Sequence, residues 1–500
     1  MTACAVLASC AVLAGAVACT SGRAARPSAS AGPQSARWTA CDDVAEQVSG
    51  RQDALFSYSC ATVRVPPDWR HPGGDTFAVA LIRARAKDQA NRIGSLLVNP
   101  GGPGASGVEL AVHLTAVLPT VVLRRFDVVG FDPRGVGRST RVDCIPDRVK
   151  DALAAADPDP ESQQAFDAQV GLWREAASRC QRLYGERLGL FSTEQTARDL
   201  ETLRRAVGDA KTTYLGYSYG SLLGAVYAHL FPTRVRALVL DGAVDPQAGP
   251  AESAERQAAG FERAFRDFAA ACRQQGSRCP AGPDAVSTLR RVLAEVARQP
   301  LRTADGRQVT DGHVVTAVAA ALYAQSEWTR LARALAAARA GDGGPVLRLA
   351  DEYNTRRDDG TYTDLLDAFT AVTCADEATP PTVAQVRRLQ AEWRARHPLF
   401  GAPLAMSLVA CAVWPASHDP YPTGPARGGP PILVVGTTGD PATPYENTPK
   451  LARVLGTGVV LTWDGEGHTA YPQTRCVVAA VDAYLLALQV PSARRTCPAR

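Results

Sequence analysis

Along its first half the chain alternates short apolar runs with stretches whose apolar residues recur at helical spacing. A continuous apolar run between turn residues reads as a buried strand, and the recurrence reads as a helix with one buried face. Strands are predicted at Phe77–Ala86, Ser95–Asn99, Phe126–Phe131, Thr213–Gly216 and Val235–Leu240. Helices are predicted over Thr193–Val207, with Leu200, Leu203 and Val207 on one face, and from just past Gly216 to about Leu230, closed by Pro232. This rhythm predicts an α/β domain built on a mostly parallel sheet. After about Pro246 the rhythm breaks. Gln257–Cys272, Val286–Arg298, Thr329–Ala340 and Val383–Arg396 all carry helical patterns. Strands return at Pro431–Gly436 and Val459–Trp463, and a last helix is predicted over Val477–Leu488. The simplest arrangement is one sheet domain, residues 38–246 and 402–500, interrupted by a helical cap over 247–401.

The N-terminus carries a different pattern. Ala3 to Ala18 is apolar and small, about the length of the apolar region of an export signal and short for a membrane span. Residues 1–18 therefore read as a signal peptide, although no Lys or Arg precedes the apolar stretch. Small residues lead into Cys19, as in a bacterial lipobox, which makes Cys19 a candidate lipidation site and the lipid the expected membrane contact. Ala16-Val17-Ala18 also fits ordinary signal cleavage. Residues 19–37, rich in Ser, Ala, Gly and Pro, read as a linker or pro-segment.

Composition adds two exclusions. Hydrophobic residues make up 46% and charged residues 21% of the 500, a globular balance with ample core material. A net charge of +4 without a dense Lys/Arg block gives no basis for a nucleic-acid partner. Cysteine use supports export. Of 13 Cys, Cys4 and Cys10 lie in the signal and Cys19 at its end. The rest form an even set, as a disulfide framework requires. Pairing neighbours gives Cys41–Cys60, Cys144–Cys180, Cys272–Cys279, Cys374–Cys411 and Cys476–Cys497, one connectivity among many. No Cys-x-x-Cys pair points to zinc, and the chemistry below calls for neither metal nor cofactor.

Gly216-Tyr217-Ser218-Tyr219-Gly220 matches G-x-S-x-G, with a predicted strand before it and a helix after. Such a turn lifts a serine hydroxyl to the carboxyl edge of a sheet. The hydroxyl needs a base, and the base needs an acid to orient it. In chain order the acid follows the serine and the histidine comes last. Of seven His, His468 sits just past a strand and before the last helix, so it is the candidate base. Asp440 follows the Pro431–Gly436 strand and is the candidate acid. Asp241 and Asp245 are its rivals, and Asp464 and Glu466 lie too close to His468 in sequence to orient it well. An oxyanion needs two backbone N–H donors. Tyr219 supplies one. In Asn99-Pro100-Gly101-Gly102-Pro103-Gly104 the prolines have no N–H, which leaves Gly102 as first choice and Gly101 as fallback. Thr443, three residues past Asp440, is expected to support the acid by hydrogen bonding.

Several of these segments resemble one family. Leu97-Val98-Asn99-Pro100-Gly101-Gly102-Pro103-Gly104, Phe126–Gly135 and Leu240-Asp241-Gly242 are similar to the prolyl and tripeptidyl aminopeptidases. The Ser218 turn with its two tyrosines, and Cys411 with Trp414-Pro415, resemble the tripeptidyl branch. The resemblance runs over about residues 38–500. It implies an α/β-hydrolase fold with a helical cap, a Ser218–Asp440–His468 triad, and an exported exopeptidase acting on free N-termini of peptides or proteins. An aminopeptidase must hold a charged amine. Asp376 and Glu377, beside Cys374, are candidates for that, as are Asp351 and Glu352. Two other readings stay open: an esterase or lipase using the same residues, and an inactive surface-binding lipoprotein.

Overall fold

The first strands pair antiparallel, and the rest of the sheet is parallel. β1 (Thr39–Ala40) pairs with β2 (Tyr58–Val65), β2 with β3 (Phe77–Ala84), and β3 with β5 (Phe126–Phe131), which follows β4 (Gly94–Asn99) in the chain. Further on lie β6 (Thr212–Tyr217), β7 (Val235–Asp241), a small hairpin β8 (Leu301–Arg302) and β9 (Gln308–Val309), then β10 (Ile432–Gly439), β11 (Gly458–Glu466) and β12 (Arg495–Cys497). The ten-stranded sheet runs β1-β2-β3-β5-β4-β6-β7-β10-β11-β12. This computed structural model describes residues 35–51, 55–415, 418–492 and 494–499. The expected signal peptide, Cys19 and the linker up to residue 34 lie outside the described residues.

β4, β5 and β6 are buried at every position, because helices cover both faces of the sheet. Side chains alternate between two cores: Leu97, Val129, Tyr214 and Leu240 face one side, while Leu96, Val98, Val128, Leu215 and Val239 face the other. The parallel strands therefore end together, at Asn99, Tyr217, Asp241, Gly439 and Glu466, and the loops that follow gather at one edge. Ligands bind at this edge in open α/β sheets.

Between β7 and β10 the described chain is helical apart from β8 and β9, and the run continues past residue 401 through Gly401–Ser407 and Val409–Val413. Most of it builds its own core around Phe261, Phe265, Phe268, Val314, Leu335 and Phe400. The helix Leu365–Asp376 instead packs into the sheet domain, where Ala371, Val372 and Cys374 join the core of Tyr219 and Leu222. Its buried Asp367 accepts the N–H groups of Cys144 and Ile145 and pairs with Lys150 at 2.6 Å. The five disulfides join the neighbouring cysteines: Cys41–Cys60, Cys144–Cys180, Cys272–Cys279, Cys374–Cys411 and Cys476–Cys497. Among the described residues no helix is long and apolar enough to cross a membrane.

Candidate active site

Ser218 occupies the turn between β6 and the helix Tyr219–Leu230, at φ 56° and ψ −123°. A side-chain-bearing residue rarely adopts this conformation, so the surroundings must hold it there. They do so in two ways. The Ser218 N–H donates to the carbonyl of Asp241 at 2.8 Å, at the end of the adjacent strand. The flanking Gly216 lies so close to Gly220 that a Cβ on it would meet the Gly220 carbonyl oxygen at 2.3 Å. Tyr217 and Tyr219 are buried, whereas Ser218 between them is partly exposed.

The loop after β4 lies against this turn. A Cβ on Gly101 would come within 2.5 Å of the Tyr217 carbonyl oxygen and 3.0 Å of the Tyr219 nitrogen. Gly101 already donates its N–H to Asn99 Oδ1 at 3.0 Å.

His468 follows β11. Its Nδ1 stands 2.9 Å from Asp440 Oδ2 and 3.0 Å from Oδ1. Asp440 is fully buried and receives the N–H groups of Ala442 and Thr443, and Thr443 donates its hydroxyl to Asp440 Oδ2 at 2.9 Å. Burial pulls the imidazole pKa down. The charge and hydrogen bond of Asp440 outweigh it, so His468 lies above its ordinary value. The rival acids are engaged elsewhere. Asp241 accepts the N–H groups of Ala470 and Tyr471, and burial pushes it up to about 7. Asp245 pairs with Arg256 and Lys450, and Asp464 accepts the Thr438 hydroxyl.

The helical insertion reaches both partners. Arg263 donates to the Asp440 carbonyl, and Gln257 to that of Ala442. The His468 N–H donates to the Tyr323 carbonyl at 2.7 Å, and the Tyr323 ring meets the imidazole edge-on, centroids 5.2 Å apart. None of this is visible in sequence, because Tyr323 carries no motif and sits 145 positions before His468.

The four candidate amine-binding acids fall into two groups. Asp351 is held by both arms of Arg307, and Glu352 by Arg330, so neither is available to a substrate cation. Asp376 and Glu377 end the Leu365–Asp376 helix, and among the described residues no basic residue is paired to either. Asp376 takes the N–H of Thr193 at 2.8 Å and its hydroxyl at 2.6 Å. Thr193 Oγ1 is also 2.6 Å from the Tyr219 hydroxyl, so Asp376 is connected through two hydrogen-bonded side chains to the residue after Ser218. Burial pushes Asp376 up to about 8, against the hydrogen bonds of Thr193, and Glu377 up to about 7. Among the described residues no group of His, Cys, Asp and Glu is arranged to hold a metal ion.

A serine protease of Mycobacterium tuberculosis, Hip1, is 37% identical to the chain over 509 residues, covering 97% of this chain and 95% of its own. This chain belongs to the TAP-like family of α/β-hydrolases. The family model described as TAP-like protein matches residues 397–497, the stretch that carries Asp440 and His468. A tripeptidyl aminopeptidase of Streptomyces lividans is 32% identical, over 88% of this chain and 83% of its own. A carboxylesterase B of Mycobacterium tuberculosis is 39% identical, over 92% and 89%. Like its TAP-like relatives, the chain is a serine hydrolase.

Proposed function

We propose that the protein is an exported serine exopeptidase that cleaves near the free N-termini of peptides or proteins, of the tripeptidyl or prolyl aminopeptidase type. The observation that carries this reading is the acid pair Asp376–Glu377. Both acids are partly buried, no salt bridge joins either to a basic residue among the described residues, and Asp376 is linked through Thr193 to the phenol of the residue after Ser218. Acidic groups raised toward neutral pH by burial regain their favoured charged form when a cation arrives. A peptide's N-terminal ammonium is such a cation. The activities of two relatives, a serine protease and a tripeptidyl aminopeptidase, support it. Export is supported by the five disulfides, which persist in oxidising compartments, and by the apolar N-terminal stretch ending at Cys19.

In this reading His468 Nε2 takes the proton of Ser218 as its oxygen attacks the scissile carbonyl, and Asp440 holds the imidazole tautomer and orientation. The N–H groups of Gly102 and Tyr219 receive the oxyanion. His468 then protonates the leaving amine, and water resolves the acyl-enzyme.

The test is hydrolysis of a tripeptidyl anilide with a free amine, beside its N-acetylated twin and a short-chain ester, with Ser218→Ala as blank. Cleavage of the free-amine substrate well above the other two is expected. Equal turnover of the acetylated twin would sink the aminopeptidase reading. The carboxylesterase relative favours one second reading, an esterase with the same triad, and faster turnover of the ester would select it.

A further inference from the structure

Thr193 opens the helix Thr193–Ala206, and it is fully buried. The first N–H groups of a helix have no partner inside it. Here the N–H of Thr193 goes to Asp376 Oδ1, 183 positions away, and the Thr193 hydroxyl goes to Oδ2. One residue thus grips both oxygens of the carboxyl group and fixes its plane. A threonine hydroxyl has a single proton to give. With that proton on Asp376, the 2.6 Å contact to Tyr219 requires the phenol to donate to Thr193 Oγ1. The result is a directed chain, Tyr219 to Thr193 to Asp376, that starts on the residue after Ser218. Glu377 receives no hydrogen bond from Thr193. Asp419, whose charge Asp376 also feels, is already satisfied by Ser192, Gln195 and Arg70. The Tyr421 phenol is close enough to Asp376 and Glu377 to feel the charge of both.

We propose that Thr193 is the positioning residue for recognition of the substrate's free amine: it sets the Asp376 carboxylate to receive the ammonium and ties it through Tyr219 to the turn bearing Ser218. This rests on the reading of Asp376 and Glu377 as the amine site. A mere helix cap would make the same bonds to Asp376. It would have no reason to favour one substrate over another.

The experiment compares wild type, Thr193→Val and Thr193→Ser on the free-amine tripeptidyl anilide and its N-acetylated twin, with Ser218 labelling by a fluorophosphonate as the check on a folded site. Valine keeps the shape and the N–H and removes the hydroxyl. A hydrogen bond to a charged group is worth roughly ten- to a hundredfold, so KM for the free-amine substrate should rise by about that factor in Thr193→Val, with a smaller fall in kcat. Thr193→Ser should restore KM to near wild type. The proposal fails if Thr193→Val leaves KM unchanged, or lowers kcat/KM for both substrates by the same factor. Should Thr193→Val not be labelled, Tyr219→Phe, which removes only the phenol at the head of the chain, should raise KM about threefold or more, and an unchanged KM there overturns the proposal. A wild-type enzyme that ignores acetylation defeats the amine reading before any variant is made. A wild type that demands the amine while both variants keep its KM defeats Thr193 alone.

Discussion

Ser218 is held in a backbone conformation that costs on the order of 1–3 kcal/mol, and the bonds around it carry that cost. The same over-determination marks Asp440, whose carboxyl group meets three backbone N–H groups, the Thr443 hydroxyl and the imidazole. Asp440→Asn keeps the shape and favours the wrong tautomer of His468, so kcat should fall about 10⁴-fold with the fold intact by circular dichroism. Thr443→Val removes one hydrogen bond to Asp440 and should lower kcat about tenfold; full activity would show that the backbone N–H groups suffice. That Asp440 would lie beside His468 was legible from position alone, since both follow strands in the chain order the serine motif implies. What engages the Gly101 N–H was legible only in part. Proline excluded its neighbours, but the Asn99 side chain that occupies Gly101 is a tertiary fact. Thr193 was hidden altogether, because its partners stand 26 and 183 positions away.

At the scale of elements, strands were easiest to read where they are buried on both faces. Phe126–Phe131 is apolar almost throughout and forms the predicted strand residue for residue. β2 was missed because it lies near the sheet edge and alternates buried with exposed positions through Ser59, Thr62 and Arg64. β12 is three residues long and takes its place from the Cys476–Cys497 bridge and pairing with β11, not from any pattern of its own. The helix Gln163–Tyr184 was passed over because its buried positions are few among many polar ones. The Leu365–Asp376 helix has the most consequence for the site. It packs against Gly104 near its start, carries Asp376 and Glu377 at its end, and is tied there by Cys374–Cys411. Replacing both cysteines by alanine should destabilise the protein by about 2–4 kcal/mol in denaturant titration. It should also raise KM for free-amine substrates more than for the short ester, because the acid pocket loses its anchor.

For the whole molecule, two sets of titrating groups act on one reaction. The base is active only when His468 is neutral, and its pKa is raised. Activity on any substrate should therefore fall as the pH drops, with a midpoint above the ordinary imidazole value of about 6.5. The amine pocket adds a second requirement. Asp376 and Glu377, pushed up to about 8 and 7, must lose protons to hold an ammonium. For a free-amine substrate the acid limb of kcat/KM should be steeper than for the ester, which needs His468 alone; identical limbs would count against the pocket. The contact between Tyr323 and His468 has a further consequence for how such an enzyme changes its diet. Exchanging the helical insertion as a module, to retarget the enzyme, would exchange Tyr323 with it. Here that segment supplies the carbonyl that seats the base, so a wholesale exchange removes a support of the chemistry along with the old preference. New preferences are more safely reached by single substitutions that leave the 323–324 turn in place.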